Sequence, residues 1–290
     1  MPIGQDAFFQ LTALLSSRPS FTLLHLLKRW IHELFNSFHS LFIKTSQTIG
    51  IMIQFQIAKW AAWAPSLDEQ ASWLSWLKAP DFHFEDGTPS LSEMPVMLRR
   101  RVGRLGKMAL QVAYWASDEV AHCPVIFASR YGDIAQSVVQ LNQLAQSNTV
   151  SPTAFSMSVH NAISALFSIA RKETASYTAI AAGQETVEAA FTEALALLAD
   201  GAASVLLVYY DEPLPSPHHI FIDSPSFPHA FACQLVKSEQ GISLSSKVSE
   251  QNHARDDLPN SIAALRFLLS DRPKYQHTVG ARTWVWQRNA

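Results

Sequence analysis

Glycine is scarce in this 290-residue chain, ten in all, and cysteine scarcer still, at two. Neither G-x-x-x-x-G-K-[ST] nor G-x-G-x-x-G occurs, so the sequence has no glycine loop of the kind that cradles a phosphate or a dinucleotide. G-x-S-x-G is missing as well, and with it the nucleophile elbow of the serine hydrolases. Cys123 and Cys233 lie far apart, with no C-x-x-C and no Cys/His ligand spacing. Both read as small core residues in a reducing compartment, not as a disulfide or a metal site. Charge is also thin: 16% of residues are charged against 48% hydrophobic, and the net charge is −2. Bulk electrostatics therefore gives no support to nucleic-acid binding. The start shows no basic region with a cleavage site, and the longest uncharged run near it, Thr45 to Ala58, is short of the roughly 20 apolar residues a membrane span needs and holds several Ser, Thr and Gln. The expectation is a soluble, cytoplasmic protein with no cofactor, no metal, no nucleic-acid partner and no membrane span.

What is present divides at about residue 51. Within FTLLHLLKRWIHELFNSFHSLFIK, the residues Leu24, Leu27, Ile31, Leu34, Phe38 and Leu41 recur at three- and four-residue steps. That spacing predicts an amphipathic helix with a wide apolar face, suited to docking on the main domain, a partner or a membrane surface. Met52 is an alternative start, because MIQFQIAKWAAWAP reads as the opening of a first strand. Residues 1–51 are thus an extension, and 52–290 the main domain.

The main domain reads as α/β. IQFQIAKWAAW alternates as a strand; MLRRRVGRLGKMALQVAYWASDEV reads as one helix, PVIFASRY as a buried strand and DIAQSVVQLNQLAQ as a helix. SPTAFSMSVHNAISALFSIARK begins as a turn and continues as a helix. SYTAI is a strand, GQETVEAAFTEALALLAD a helix and AASVLLVYYDE an apolar strand. IFID, AFACQLVK and GISLSSKV read as three short strands, followed by a helix at SIAALRFLLS and a closing RTWVWQR. Strands alternating with helices imply a sheet covered by helices on both faces.

Few polar clusters stand out. His218–His219 and Asp256–Asp257 read as surface turns. His160 and Asn161, in SVHNA, have two readings: a helix start capped by Ser158, or a site that uses the imidazole. Arg99, Arg100, Arg101, Arg104 and Lys107 are either a solvated helix start or a docking patch for an acidic partner.

One long segment carries a resemblance. FSMSVHNAISALFSIARKETASYTAIAAGQETVEAAFTEALALLADGAASVLLVYYDE is similar to the central part of the β-ketoacyl synthases. In those enzymes an SVHN-like helix leads to a strand ending Thr-Ala-Cys-Ala-Ser-Gly, and here Thr178, Ala179, Ile180, Ala181, Ala182 and Gly183 fall on those six positions. Ile180 stands where the acyl-accepting cysteine would be, and isoleucine cannot form a thioester. The family's two C-terminal histidines also have no counterpart; HTVG at 277–280 is a poor imitation of the His-Gly-Thr signature.

With AKWAAWAP, LRRRVGRLGKMALQVA, FASRYGD, SPTAFSMSVHNA, LLVYYDEPLP and TWVWQR, the chain more specifically resembles the short chain-length-factor proteins of aryl polyene pathways. One departure is that better-known chain-length factors put Gln at the cysteine position; here Gln184 comes four residues later, expected on the same helix face as Ile180. The resemblance implies a thiolase-like layered fold, a partial ketosynthase with helices packed on mixed sheets. It implies no catalytic residue in this chain, and dimerisation with an active ketosynthase through a strand at Ala175–Ala179 and a helix at Val159–Ile169. The residues it points to as interface or pocket are Phe155, Ser158, His160, Asn161, Leu166, Thr178, Ala179, Ile180 and Gln184. An acyl carrier protein would be an indirect partner, with Arg99–Lys107 as its candidate dock. Two other readings stand beside this one: an independent acyltransferase or thioesterase using His160, and a carrier-protein scaffold.

Overall fold

β-Branched, aromatic and leucine side chains fill Val205–Asp211 (VLLVYYD), and all but the last residue are buried. Such a strand needs cover on both faces, and the sheet around it has that cover. The computed structural model describes residues 53–117, 122–248 and 257–289. The extension 1–51 and the alternative start at Met52 lie outside the described residues.

In chain order the elements are β1 (Gln54–Trp63), α1 (Gln70–Trp76), α2 (Val96–Arg99), α3 (Arg104–Ala116), β2 (Val125–Ala128), α4 (Ile134–Ser147), α5 (Pro152–Ser158), α6 (Ala162–Arg171) and β3 (Tyr177–Ile180). After a 3-10 turn at Gly183–Glu185 come α7 (Thr186–Ala199) and β4 (Val205–Asp211). A second 3-10 turn, Ser216–Phe221, precedes β5 (His229–Ser238), β6 (Ile242–Val248), α8 (Asn260–Leu268), β7 (Lys274–Val279) and β8 (Arg282–Arg288). The strands form one mixed sheet in the order β3-β2-β4-β5-β1-β6-β8-β7. β2 runs parallel to β3 and β4, and the other neighbours are antiparallel.

The period of two sorts side chains between the faces. Val205, Leu207 and Tyr209 face the core built with α7 and α8, while Leu206, Val208 and Tyr210 face the core built with α3 and α6. On the first face the Phe191 ring of α7 lies 5.5 Å from Phe55 and 4.8 Å from Trp286, joining β1, α7 and β8. On the second, Phe127 of β2 meets Phe167 of α6 at 5.7 Å.

The structure corrects several local expectations. The helix expected from residue 97 is broken: α2 ends at Arg99, Val102 turns into the core, and Gly103 is extended before α3 starts. A Cβ on Gly106 would come within 2.6 Å of the Val102 side chain, so the two halves pack too closely for a larger residue there. The helix expected through SVHNA is also two, because Val159 is extended between α5 and α6. Ser158 does not cap α6; its hydroxyl donates back to the Phe155 carbonyl (2.9 Å), and Asn161 holds the N-cap position. IFID is no strand: it overlaps the end of the 3-10 turn that carries His218 and His219. KYQHTV, which showed no strand signal, is edge strand β7, whose polar pattern suits a strand with one face in water.

Phe191→Ala should cost about 3–5 kcal/mol of unfolding free energy, the usual loss for a buried phenylalanine. Urea titration would measure it, and a loss under about 1 kcal/mol would show that α7 is not held through this ring.

Candidate functional site

The parallel strands β2, β3 and β4 end together, and the loop after β2, Ser129–Asp133 (SRYGD), ties their ends. Asp211, the last residue of β4, offers a carboxylate to three donors. The Ser129 hydroxyl (2.9 Å) and the Arg130 backbone N–H (3.1 Å) reach one oxygen, and the Tyr209 hydroxyl (2.5 Å) reaches the other. Burial pushes this carboxyl up to about 6, against the opposing pull of those donors and the Arg130 charge. The Ile180 carbonyl, at the end of β3, accepts from the Ser129 N–H (3.1 Å) and from His160 Nε2 (3.1 Å). Gly132, at φ +60°, makes room for that histidine: a Cβ there would sit 2.7 Å from His160 Nδ1.

The Arg130 side chain points the other way and grips Asp223 with two hydrogen bonds, 2.7 and 2.5 Å. Gln184 Nε2 donates to the same carboxylate at 2.6 Å. The Arg130 pair, chiefly, holds Asp223 down to about 2.

Beyond this pair lies a cavity of about 570 Å³, lined among others by Arg130, Gln184, Asp223, His229, Ser261 and His277. On its floor the His229 Nδ1–H donates to the Phe227 carbonyl and its Nε2 accepts from Ser261, both at 2.8 Å. Burial drives this imidazole down to about 4, so it is neutral near pH 7. In the wall, His277 Nδ1 meets the fully buried Glu188 at 2.9 Å. Asn260 donates to both Glu188 oxygens (3.1 and 3.0 Å) and accepts from the Tyr275 hydroxyl (2.8 Å). Among the described residues no group of three or more His, Cys, Asp or Glu could hold a metal ion, and no helix is long and apolar enough to cross a membrane.

The residues singled out in the sequence fall in four places. Thr178, Ala179 and Ile180 lie on β3 at the sheet edge, and His160 is bonded to the last of them. Phe155 is 61% exposed on α5, and Ser158 and Asn161 flank the α5–α6 break. Leu166 is a core residue buried beside Phe167. Gln184 alone of the nine lines the cavity. It is not on one helix face with Ile180, since Ile180 ends a strand and Gln184 sits in the 3-10 turn after it.

The basic cluster is divided: Arg99 donates to the Leu91 carbonyl (3.1 Å) and Arg104 pairs with Asp86 (3.1 Å), whereas Arg100 and Arg101 are exposed and Lys107 is half-buried. Asp257 lines the cavity; Asp256 lies outside the described residues. Sequence reading missed Asp211, Asp223, Glu188 and His229, and dismissed His277. Only His229 left a signal, since the alternation of β5 puts it on the same face as Phe231.

Residues 73–287 match the β-ketoacyl synthase N-terminal domain. A chain of the ketosynthase (ApeO) in complex with its chain length factor (ApeC) from Xenorhabdus doucetiae superposes with a TM-score of 0.71 at 26% identity, over 81% of this chain and 100% of that one. The ishigamide ketosynthase/chain length factor superposes at 0.53 with 15% identity, covering 68% of each chain. A β-ketoacyl synthase from Burkholderia phymatum STM815 does so at 0.50 with 11% identity, over 65% of this chain and 60% of that one. The fold is thus the thiolase-like fold of the ketosynthases. No curated protein matches the chain.

Asp211 and His229 should give opposite pH dependences. Asp211 is raised from 3.8 to about 6, so its contribution to stability falls as pH rises between those values. His229 is lowered from 6.5 to about 4, so its contribution falls as pH drops through that window. Each amounts to about 3 kcal/mol, and between pH 4 and 6 they offset. Asp211→Asn should therefore leave a protein that loses stability on acidification below pH 6.5. His229→Asn should leave one that loses stability as pH rises from 4 to 6. Melting curves across that range check both, and two variants with the unaltered wild-type profile would refute the assignment.

Proposed function

The chain belongs to the β-ketoacyl synthase family, and we propose that it serves there as a subunit without its own nucleophile. In this reading it pairs with an active ketosynthase, in the manner of a chain length factor, and shapes the acyl tunnel of aryl polyene synthesis. The partner carries out the decarboxylative condensation and receives the carrier-bound chain. The observation that carries the reading is the end of β3: a sheet edge, unpaired among the described residues, that terminates in Ile180, where by resemblance the family's cysteine would stand.

The cysteines support it. Cys233 is fully buried and pushed up to about 12, and burial also raises Cys123, so neither presents a thiolate. His160 is committed to the Ile180 carbonyl, which favours a positioning role over that of a base for a serine.

The surface beside β3 supports a partner. β3 hydrogen-bonds to β2 on one side and to no strand on the other among the described residues, which is an opening for a second chain. Around it, helix α4 buries Gln140 alone and leaves Val139, Leu141 and Leu144 exposed. Phe155, Ile169 and Tyr177 add to the exposed apolar side chains of α5, α6 and β3. Apolar exposure concentrated on adjoining elements marks an interaction surface. It also accounts for a helix such as α4, which alone would bury too little to hold its place.

Native mass spectrometry of the chain co-expressed with its candidate ketosynthase should give a one-to-one complex, and condensation should cease when this chain is omitted. Phe155→Asp with Ile169→Asp should weaken the complex by about 30-fold or more, as loss of a hot spot does, while leaving the isolated chain's melting temperature unchanged. A ketosynthase fully active alone, or acylation of this chain by a carrier thioester, would overturn the proposal.

A further inference from the structure

Antiparallel neighbours are usually joined by short turns, but β4 and β5 are not. Asp211 and His229 face each other across one rung of the ladder, and the chain between them makes a long excursion over residues 212–228. The excursion holds Pro213, Pro215, Pro217, Pro225 and Pro228, which stiffen it and remove backbone donors. It is pinned near each end by an apolar side chain, Leu214 (5% exposed) and Phe227 (4% exposed). Phe227 stacks on Phe84 at 4.7 Å and meets Trp76 at 5.6 Å.

Between the pins its character changes. The backbone hydrogen bonds there are local, from the His218 N–H to the Pro215 carbonyl and from the Ile222 N–H to the His219 carbonyl. Ile220 and Phe221 stand 84% and 58% exposed. Asp223 ties this middle to the body of the protein, through Arg130 and Gln184 among others. Asp223 and its neighbours Leu214, Ile222 and Ser224 form one wall of the cavity. Beneath lie Tyr209, His229 and Ser261, each nearly fully buried.

We propose that residues 212–228 are a lid over this cavity and that Asp223 is its latch. The ends stay seated in the two apolar pins while the middle swings when the Arg130 and Gln184 contacts are broken. The latch joins three distant segments, the β2–α4 loop, the turn after β3 and the lid itself, so access to the cavity is coupled to the end of the edge strand. This holds whether or not the chain partners a ketosynthase.

A thiol placed on the cavity floor tests the lid in the full chain. Cys123 and Cys233 are both buried and give a slow background, so Ser261→Cys can be followed with a maleimide. Adding Asp223→Asn should speed its labelling by roughly tenfold or more, the effect of losing a charge-assisted bidentate contact. Asp223→Glu should keep labelling slow. With Ser261 intact, Asp223→Asn should also speed chymotrypsin cleavage after Phe221 without lowering the melting temperature. Equal labelling and cleavage rates with and without Asp223→Asn would overturn the latch. Faster labelling of Cys233 as well would show that the pair braces the core, and would overturn it equally.

Discussion

A half-buried carboxylate at the strand ends governs this end of the molecule. Asp211 is charged or nearly so at neutral pH, yet it sits where burial alone drives its carboxyl up to about 6. Leaving such a group unpaired costs several kcal/mol, so the chain around it must bring donors. The Ser129 hydroxyl, the Arg130 N–H and the Tyr209 hydroxyl do so, and two of the three come from the loop after β2. Fixing that loop fixes what it touches. The Ser129 N–H then meets the Ile180 carbonyl, Gly132 receives His160, Asp133 caps α4 and Arg130 is aimed at Asp223.

The same constraint explains how the strand-to-helix junction after β3 keeps its shape. The Ile180 backbone is held through its carbonyl by Ser129 and His160, and neither contact uses the side chain at 180. The turn after it is closed by Thr186, whose hydroxyl accepts from the Ala182 N–H and donates to the Gly183 carbonyl. The backbone there is therefore held whatever side chain stands at 180, and the isoleucine packs against the α7 face of the core.

How far the sequence could be read follows from the range of each interaction. β4 was legible because six consecutive residues declare burial, and α7 because its apolar positions continue for four turns. The breaks at Gly103 and Val159 were not, because the apolar pattern runs through both and the break depends on tertiary packing, of Val102 in one case and His160 in the other. Resemblance found the end of β3, whose residues are contiguous. The cavity stayed hidden because its pairs lie far apart in the chain: Ser129 with Asp211 across 82 residues, His277 with Glu188 across 89, Arg130 with Asp223 across 93. His277 was dismissed because its neighbours fail to spell a motif, whereas its role rests on a partner 89 residues earlier.

Polarity separates the two candidate functions of this surface. A tunnel that measures an acyl chain must be apolar, since each added methylene is worth about 0.8 kcal/mol only if it leaves water for a similar medium. The lining of the cavity beneath the lid is mixed: Arg130, Asp211, Asp223, His229 and His277 share it with Val187, Leu214, Ile222 and Leu258. The exposed faces of α4, α5 and α6 beside β3 meet the apolar requirement, with Leu141, Phe155 and Ile169 turned outward. In the proposed pairing, length control would draw on that surface, with the lidded cavity beside it. Asp223 and Gln184 join the two, since one belongs to the lid and the other to the turn after the edge strand β3.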